Sequence, residues 1–269
     1  MAREPLRVCI GTEPRTEIAR KVLAFSIRKH LRSDRDVEIL PLTGGDWSGT
    51  GPLRQFTGFS LLRWSVPERC AYRGRAIYLD ADQLCLGDLA ELWDATVDAP
   101  SCVSCTWRDY RPRLRFFPLL RTRRRLPETS VMVLDCARAR DELWSVERIE
   151  RLLRDAPTAA NYDRVMHASY LEPPPTPIDS RWNVMDAGGT PAASLLDPGA
   201  RLLHFTRVST QPWFDPDHPA AELWGTHLAD ALEAGALEHE ELAAASARFT
   251  LERGRPDGLH PAWEKRFAS

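Results

Sequence analysis

One stretch constrains this chain more than any other: Arg75-Ala76-Ile77-Tyr78-Leu79-Asp80-Ala81-Asp82-Gln83-Leu84-Cys85-Leu86-Gly87-Asp88-Leu89-Ala90-Glu91-Leu92-Trp93. Ala76 to Leu79 is a continuous apolar run, as expected for a strand covered on both faces. It ends on two acids one residue apart. Alternate residues of an extended chain point the same way, so Asp80 and Asp82 can present both carboxylates to one point. Acids at the end of a buried strand are costly without a partner. Ligands of open α/β sheets bind at the carboxyl ends of the strands. The pattern therefore predicts a hard divalent cation held by oxygen ligands, of the kind that handles phosphate.

The bulk properties narrow the classes. The 269 residues are enough for one large α/β unit, and 43% hydrophobic residues supply a sizeable core. A formal net charge of −2 gives no global field that would draw nucleic acid. The N-terminal apolar run, Val8-Cys9-Ile10, is shorter than the apolar region of a signal peptide, and no run reaches the length of a membrane span. These features predict a cytoplasmic protein. Cys9 and Cys85 sit in apolar runs as small core residues. Cys102-x-x-Cys105 lacks the second ligand pair that structural zinc requires.

Strands are expected at Leu6–Gly11, Val37–Leu42, through Ala76–Leu79, at Val131–Leu134 and at Ala200–Thr206. Helices are expected at Ile18–Leu31 with Thr16 as N-cap, at Phe59–Val66, at Glu142–Leu153 and at Leu223–Phe249. Alternating strands and helices predict an α/β fold with a mainly parallel central sheet. We expect one domain over residues 1–222 and a helical C-terminal extension over 223–269. Pro173–Pro177 reads as a rigid connector. Arg108–Pro127 carries Arg108, Arg111, Arg113, Arg115, Arg121, Arg123, Arg124 and Arg125, interleaved with Tyr110, Phe116 and Phe117. It reads as a solvated loop, an acceptor-binding lid, or a patch (Arg108–Arg125) that meets a phosphorylated glycan or an anionic membrane at the inner face; no nucleic-acid motif accompanies it.

The segment from Ile77 to Trp93 resembles the signature of nucleotide-sugar glycosyltransferases of the GT-A fold. It is most similar to family 8, the glycogenin-like and bacterial lipopolysaccharide-sugar transferases. Their pattern is a strand, Tyr/Phe-Leu-Asp-x-Asp, an apolar run, Asp-Leu, and then Leu followed by an aromatic residue. Arg201-Leu202-Leu203-His204-Phe205-Thr206 with Gln211-Pro212-Trp213 matches the family's late strand, histidine and Pro-Trp. The resemblance implies Asp80, Asp82 and His204 as ligands of Mn²⁺ (or Mg²⁺). It implies donor contacts at Gly11, Thr12, Arg63, Asp80, Ala81, Asp82 and Gln211. Arg63 matches a basic residue before the Asp-x-Asp strand and would grip the diphosphate with a bidentate guanidinium. Gln211 stands where the family has a diphosphate-binding lysine, and Arg207 is a candidate to compensate. Glu13 follows Thr12 at the base and ribose edge, where the family carries Asp or Asn.

Glu128 stands at a family asparagine and Ser130 at a glycine, in the strand expected to face the sugar. Within Asn161-Tyr162-Asp163, only Asp163 keeps the family's residue. Arg181-Trp182-Asn183 resembles a short element on the acceptor side. Asp163 is the carboxylate the resemblance sets nearest the anomeric carbon, and Glu128 is the second catalytic candidate. The activity implied is retaining transfer of a sugar from a nucleotide diphosphate sugar, UDP being the family's usual carrier, to a glycan, lipid-linked or small-molecule acceptor. Two alternatives stay open. One is a non-catalytic nucleotide-sugar-binding relative, suggested by the replacements at 128, 130 and 211. The other is a haloacid dehalogenase-type phosphatase, whose Asp-x-Asp opens the chain and is followed by a threonine and a late lysine; the lysines here are Lys21, Lys29 and Lys265.

Overall fold

The computed structural model describes residues 4–32, 34–44, 60–110, 124–186, 192–250 and 257–267. In chain order, the first half runs β1 (Leu6–Gly11), α1 (Glu17–His30), β2 (Val37–Leu42), α2 (Val66–Arg69), β3 (Arg75–Asp80), β4 (Gln83–Cys85), α3 (Leu89–Asp94), β5 (Val103–Tyr110) and β6 (Arg124–Asp135). The second half runs α4 (Cys136–Glu142), α5 (Val146–Asp155), α6 (Ala159–Met166), β7 (Thr176–Pro177), β8 (Val184–Met185), α7 (Ala192–Leu195), β9 (Leu202–His204), α8 (Ala221–Glu233), α9 (His239–Ala247) and α10 (Pro261–Phe267). A six-stranded sheet has the order β2-β1-β3-β6-β5-β7, and a three-stranded sheet has the order β4-β9-β8. The β1–β2 and β5–β7 pairs are parallel and the β5–β6 pair is antiparallel. This is the α/β architecture with a mainly parallel central sheet that the alternation of elements predicts.

Two compact units make up the chain. One comprises Met1–Gly44, Leu79–Glu91 and Arg181–Ser269; the other comprises Gly45–Tyr78 and Leu92–Ser180. In the first, β1 buries Leu6, Val8, Cys9 and Ile10, and α1 turns Ile18, Ala19, Val22 and Leu23 inward at helical spacing. Of these, Ile18, Ala19 and Val22 share one core with Leu84, Leu203, Phe205, Trp213, Trp224, Leu228, Leu242 and Trp263. The helices α8, α9 and α10 thus pack into the unit that begins at β1. Thr16 is the N-cap residue of α1 by position, but its hydroxyl does not cap. It bonds instead to the Glu13 carbonyl at 3.0 Å and to the Thr12 hydroxyl at 3.1 Å, closing the β1–α1 turn.

In the second unit, β6 is much longer than the expected four-residue strand, and its inner half buries Val131, Met132, Val133 and Leu134. Of the helix expected over Glu142–Leu153, Glu142 ends α4 and the rest starts late, as α5 at Val146. Leu143 leaves α4 in an extended conformation, and the Ser145 side chain accepts the Arg148 N–H at 3.3 Å, starting α5 as an N-cap. The expected helix over Leu223–Phe249 is two helices. Gly235 takes φ +66° after α8, its N–H meeting the Leu232 carbonyl at 3.0 Å, the left-handed close that favours glycine. Of Phe59–Val66, residues 60–66 are described; a 3-10 turn at Leu62–Ser65 leads into α2.

The prolines of 173–177 follow a cis Glu172–Pro173 bond and end in the edge strand β7. Trp107 Nε1 donates to the Pro175 carbonyl at 3.1 Å, and a cleft of about 380 Å³ opens between Pro100, Trp107, Arg125 and this proline run. In the Arg-rich segment, Arg111 to Arg123, with Phe116 and Phe117, lies outside the described residues, as does most of the loop Thr43–Gly51. Arg108 is described and pairs with Glu128 at 3.1 Å. No helix among the described residues is long and apolar enough to cross a membrane.

His227 on α8 carries a pH dependence that sequence alone does not reveal. Its ring lies 5.4 Å from the His30 ring of α1, and its Nδ1 bonds to the Leu223 carbonyl at 2.9 Å. Burial pushes its pKa below the usual imidazole value; the charges of Lys29 and His30 push the same way, while the Leu223 bond and Asp230 oppose them. The unfolded chain takes up this proton near pH 6.5 and the folded one resists it, so stability is full above that value and falls as pH drops below it. Melting temperatures of wild type and His227→Gln should diverge between pH 7.5 and 5.5, the wild type losing more. Parallel curves would refute the assignment.

Candidate metal and donor site

The small sheet builds the site within the first unit. β4 and β9 are antiparallel with Gln83 opposite His204. The Phe205 N–H donates to the Asp82 carbonyl at 2.9 Å and extends that ladder by one rung. The Ala81 N–H donates to the Gly11 carbonyl at 3.0 Å, which ties the Asp-x-Asp turn to the end of β1. Residues far apart in sequence, the end of β3 and the end of β9, are thereby placed side by side. One ligand atom from each of Asp80, Asp82 and His204 lies within 4.8 Å of the others. Asp80 and His204 are buried, at 8% and 6% exposure.

The neighbours orient these side chains. His204 Nδ1 lies 3.0 Å from Asn183 Oδ1; with the amide oxygen as acceptor, Nδ1 carries the proton and Nε2 keeps its lone pair. That Nε2 is 3.3 Å from Asp82 Oδ1. Gln211 Nε2 donates to Asp82 Oδ2 at 3.2 Å and to the Phe205 carbonyl at 2.7 Å. Asp82 Oδ1 is left buried with no hydrogen-bond partner. A bare carboxylate oxygen in this setting is costly unless a cation meets it. Two carboxylates this close repel by on the order of 1–4 kcal/mol between water-like and partly screened surroundings, and a divalent cation reverses the sign. Hard oxygens with one imidazole suit Mn²⁺ or Mg²⁺. The residues present fit such an ion.

The other expected site residues are placed as follows. Gly11 ends β1 and Thr12 follows it, buried, its N–H on the Leu42 carbonyl at 3.0 Å. Glu13 is paired with Arg15 and caps the turn before α1. Arg63 belongs to the second unit and is 5% exposed; it donates to the Ser60 carbonyl at 2.8 Å and the Thr129 hydroxyl at 2.9 Å, and lies over the Tyr78 ring at 5.2 Å. Glu128 and Ser130 are on β6 and Asp163 is exposed on α6, all in the second unit. Sequence reasoning passed over Asp186 and His218, which stand behind His204. Neither belongs to a recognisable motif, and the link between them is tertiary.

No protein-family model matches the chain. It is 29% identical over 234 residues to Protein CDI of Arabidopsis thaliana, an alignment that covers 82% of this chain and 85% of that protein. Among solved structures, the galactosyltransferase LgtC, in complex with donor and acceptor sugar analogs, superposes with a TM-score of 0.61 at 13% identity over 86% of this chain and all of that one. The bifunctional glycosyltransferase WbbM matches with a TM-score of 0.57 at 13% identity, over 87% of this chain and 52% of its own. The glycosyltransferase GlyE of Streptococcus pneumoniae matches with a TM-score of 0.54 at 13% identity, over 87% and 64%. The chain has the GT-A glycosyltransferase fold, that of the family 8 transferases its sequence resembles.

Proposed function

We propose that this protein is a metal-dependent, retaining glycosyltransferase that takes a sugar from a nucleotide diphosphate sugar, a UDP-sugar, and moves it to a glycan, lipid-linked or small-molecule acceptor. The observation that carries this reading is the convergence of Asp80, Asp82 and His204 around a buried Asp82 Oδ1 that has no hydrogen-bond partner, at the end of the Asp-x-Asp strand. Bound there, Mn²⁺ or Mg²⁺ would neutralise the charge that develops on the departing diphosphate. Asp80, Asp82 and His204 would hold the ion, Gln211 would orient Asp82, and Asn183 would fix the His204 tautomer. Gly11 and Thr12 would border the nucleoside, Arg63 would meet the diphosphate, and Asp163 and Glu128 are the carboxylates proposed to face the sugar.

A second reading is favoured by one contact. Gln211 spends its amide nitrogen on Asp82 and the Phe205 carbonyl, and a glutamine offers the diphosphate no charge. A protein that binds the nucleotide sugar without transferring it would tolerate that loss. A thermal-shift and donor-hydrolysis screen of nucleotide sugars, with Mn²⁺ and with EDTA, separates the two. Ligand at 100 times its dissociation constant stabilises a fold by about 2.7 kcal/mol. Stabilisation that needs both Mn²⁺ and donor, with sugar release, supports the transferase. Stabilisation without turnover on any acceptor supports the binder. No shift and no cleavage sinks both.

A further inference from the structure

Asp186 follows β8, and its side chain is 4% exposed; His218, in the turn before α8, is 5% exposed. Asp186 grips the main chain on both sides of Phe205. Its N–H donates to the His204 carbonyl at 3.1 Å. Its Oδ1 accepts the Thr206 N–H at 2.5 Å and the Thr206 hydroxyl at 2.7 Å. Asn183, three residues earlier, holds the His204 ring. One short segment therefore fixes His204 by its ring nitrogen and by its backbone. His218 Nδ1 accepts the Ala220 N–H at 3.0 Å, so the ring's proton sits on Nε2, which points at Asp186 Oδ2 across 3.4 Å. The His218 ring meets Phe205 edge-on at 5.4 Å.

We propose that Asp186, oriented by His218, is a positioning residue that sets the affinity of the Asp80–Asp82–His204 site for its cation. The inference rests on the metal-site reading above. A packing role alone would be met by an apolar side chain of the same volume. The two Thr206 donors instead hold Oδ1, while Oδ2, which has no hydrogen-bond partner, faces the His218 Nε2 at 3.4 Å as an ion pair; together they lock the strand end that carries His204. Outer-shell partners of this kind change metal affinity by about 10–100-fold.

Mn²⁺ titration of the full chain, followed by the loss of the free-ion EPR signal, tests this, with the melting temperature in EDTA measured alongside. Asp186→Asn cannot satisfy both Thr206 donors and the His218 N–H, and should raise the Mn²⁺ dissociation constant at least tenfold. A lowered melting temperature with an unchanged dissociation constant would make Asp186 merely structural and overturn the proposal. Should Asp186→Asn fail to fold, His218 decides. His218→Asn keeps an acceptor for Ala220 but not the reach to Asp186, and should weaken Mn²⁺ binding. His218→Gln keeps a donor near the Nε2 position and should bind close to wild type. Equal affinities in the two variants would refute the positioning role. Wild type that binds no Mn²⁺ would instead refute the metal-site reading, and this inference with it.

Discussion

Asp82→Asn should abolish stabilisation by Mn²⁺ and cut metal-dependent donor cleavage by about a hundredfold or more, since a Lewis-acidic ion supplies several kcal/mol and each 1.4 kcal/mol or so is tenfold in rate. The substitution keeps the shape of the side chain and removes its charge. Asp82 Oδ1 has no hydrogen-bond partner to lose, and the Gln211 amide still has the Phe205 carbonyl. In EDTA, the variant also escapes repulsion from Asp80, so its melting temperature should equal or exceed that of wild type. The combination is diagnostic. A variant that melts lower in EDTA, yet still gains stability with Mn²⁺, would show that Asp82 is a structural acid and that the cation, if any, sits elsewhere.

The parts of the site legible in the sequence were those whose chemistry is concentrated in a few adjacent residues. The strand into Asp80 announces itself because an unbroken apolar run ending on acids has few other solutions. β1 and β2 fall on the expected residues, since short β-branched runs bounded by polar turns leave little freedom. His204 as a candidate was reachable only through the resemblance, because nothing local marks a histidine after an apolar strand as more than structural; the structure places it beside Asp80 and Asp82. Gln211 read as a lost diphosphate contact; what the chain did with it instead, bracing Asp82, is a tertiary fact with no sequence period. The same holds for Asp186 and His218. The missed breaks in the helices are different, for their signals were present. Ser145 with Glu147 in the next turn is an N-cap pattern, and Gly235 after a leucine-rich run is a helix stop; helical periodicity on either side obscured both.

A chain ended at residue 222 should not fold as a stable unit, although the Asp-x-Asp strand, His204 and Pro212-Trp213 all precede that point. The reason lies in where the last helices put their apolar side chains. Trp224 is fully buried, with its ring centroid 5.9 Å from that of Trp213 and 5.4 Å from that of Trp263. Phe205, next to His204, is edge-on to Trp213 at 6.0 Å. The aromatic stack thus runs without interruption from the site into α8 and α10. Gly225 allows this closeness: a β-carbon there would run into the Trp263 ring. Two of the three lysines also serve the contact, Lys29 pairing with Asp230 at 2.5 Å and Lys21 with Glu241, though exposed pairs of this kind contribute at most about 1 kcal/mol each. Trp224→Ala should cost about 3–5 kcal/mol, a large part of the 5–15 kcal/mol that roughly bounds the stability of most domains. Trp224→Phe should cost much less, because the Trp224 Nε1 has no partner and its removal strands no other group. Urea denaturation of the two variants, followed by tryptophan fluorescence and far-ultraviolet circular dichroism, checks the ranking. If Trp224→Ala were as stable as Trp224→Phe, or if the 222-residue fragment unfolded cooperatively at the wild-type midpoint, α8 to α10 would be an appendage. If both are crippled, the helices that follow the site are part of what holds His204 in place.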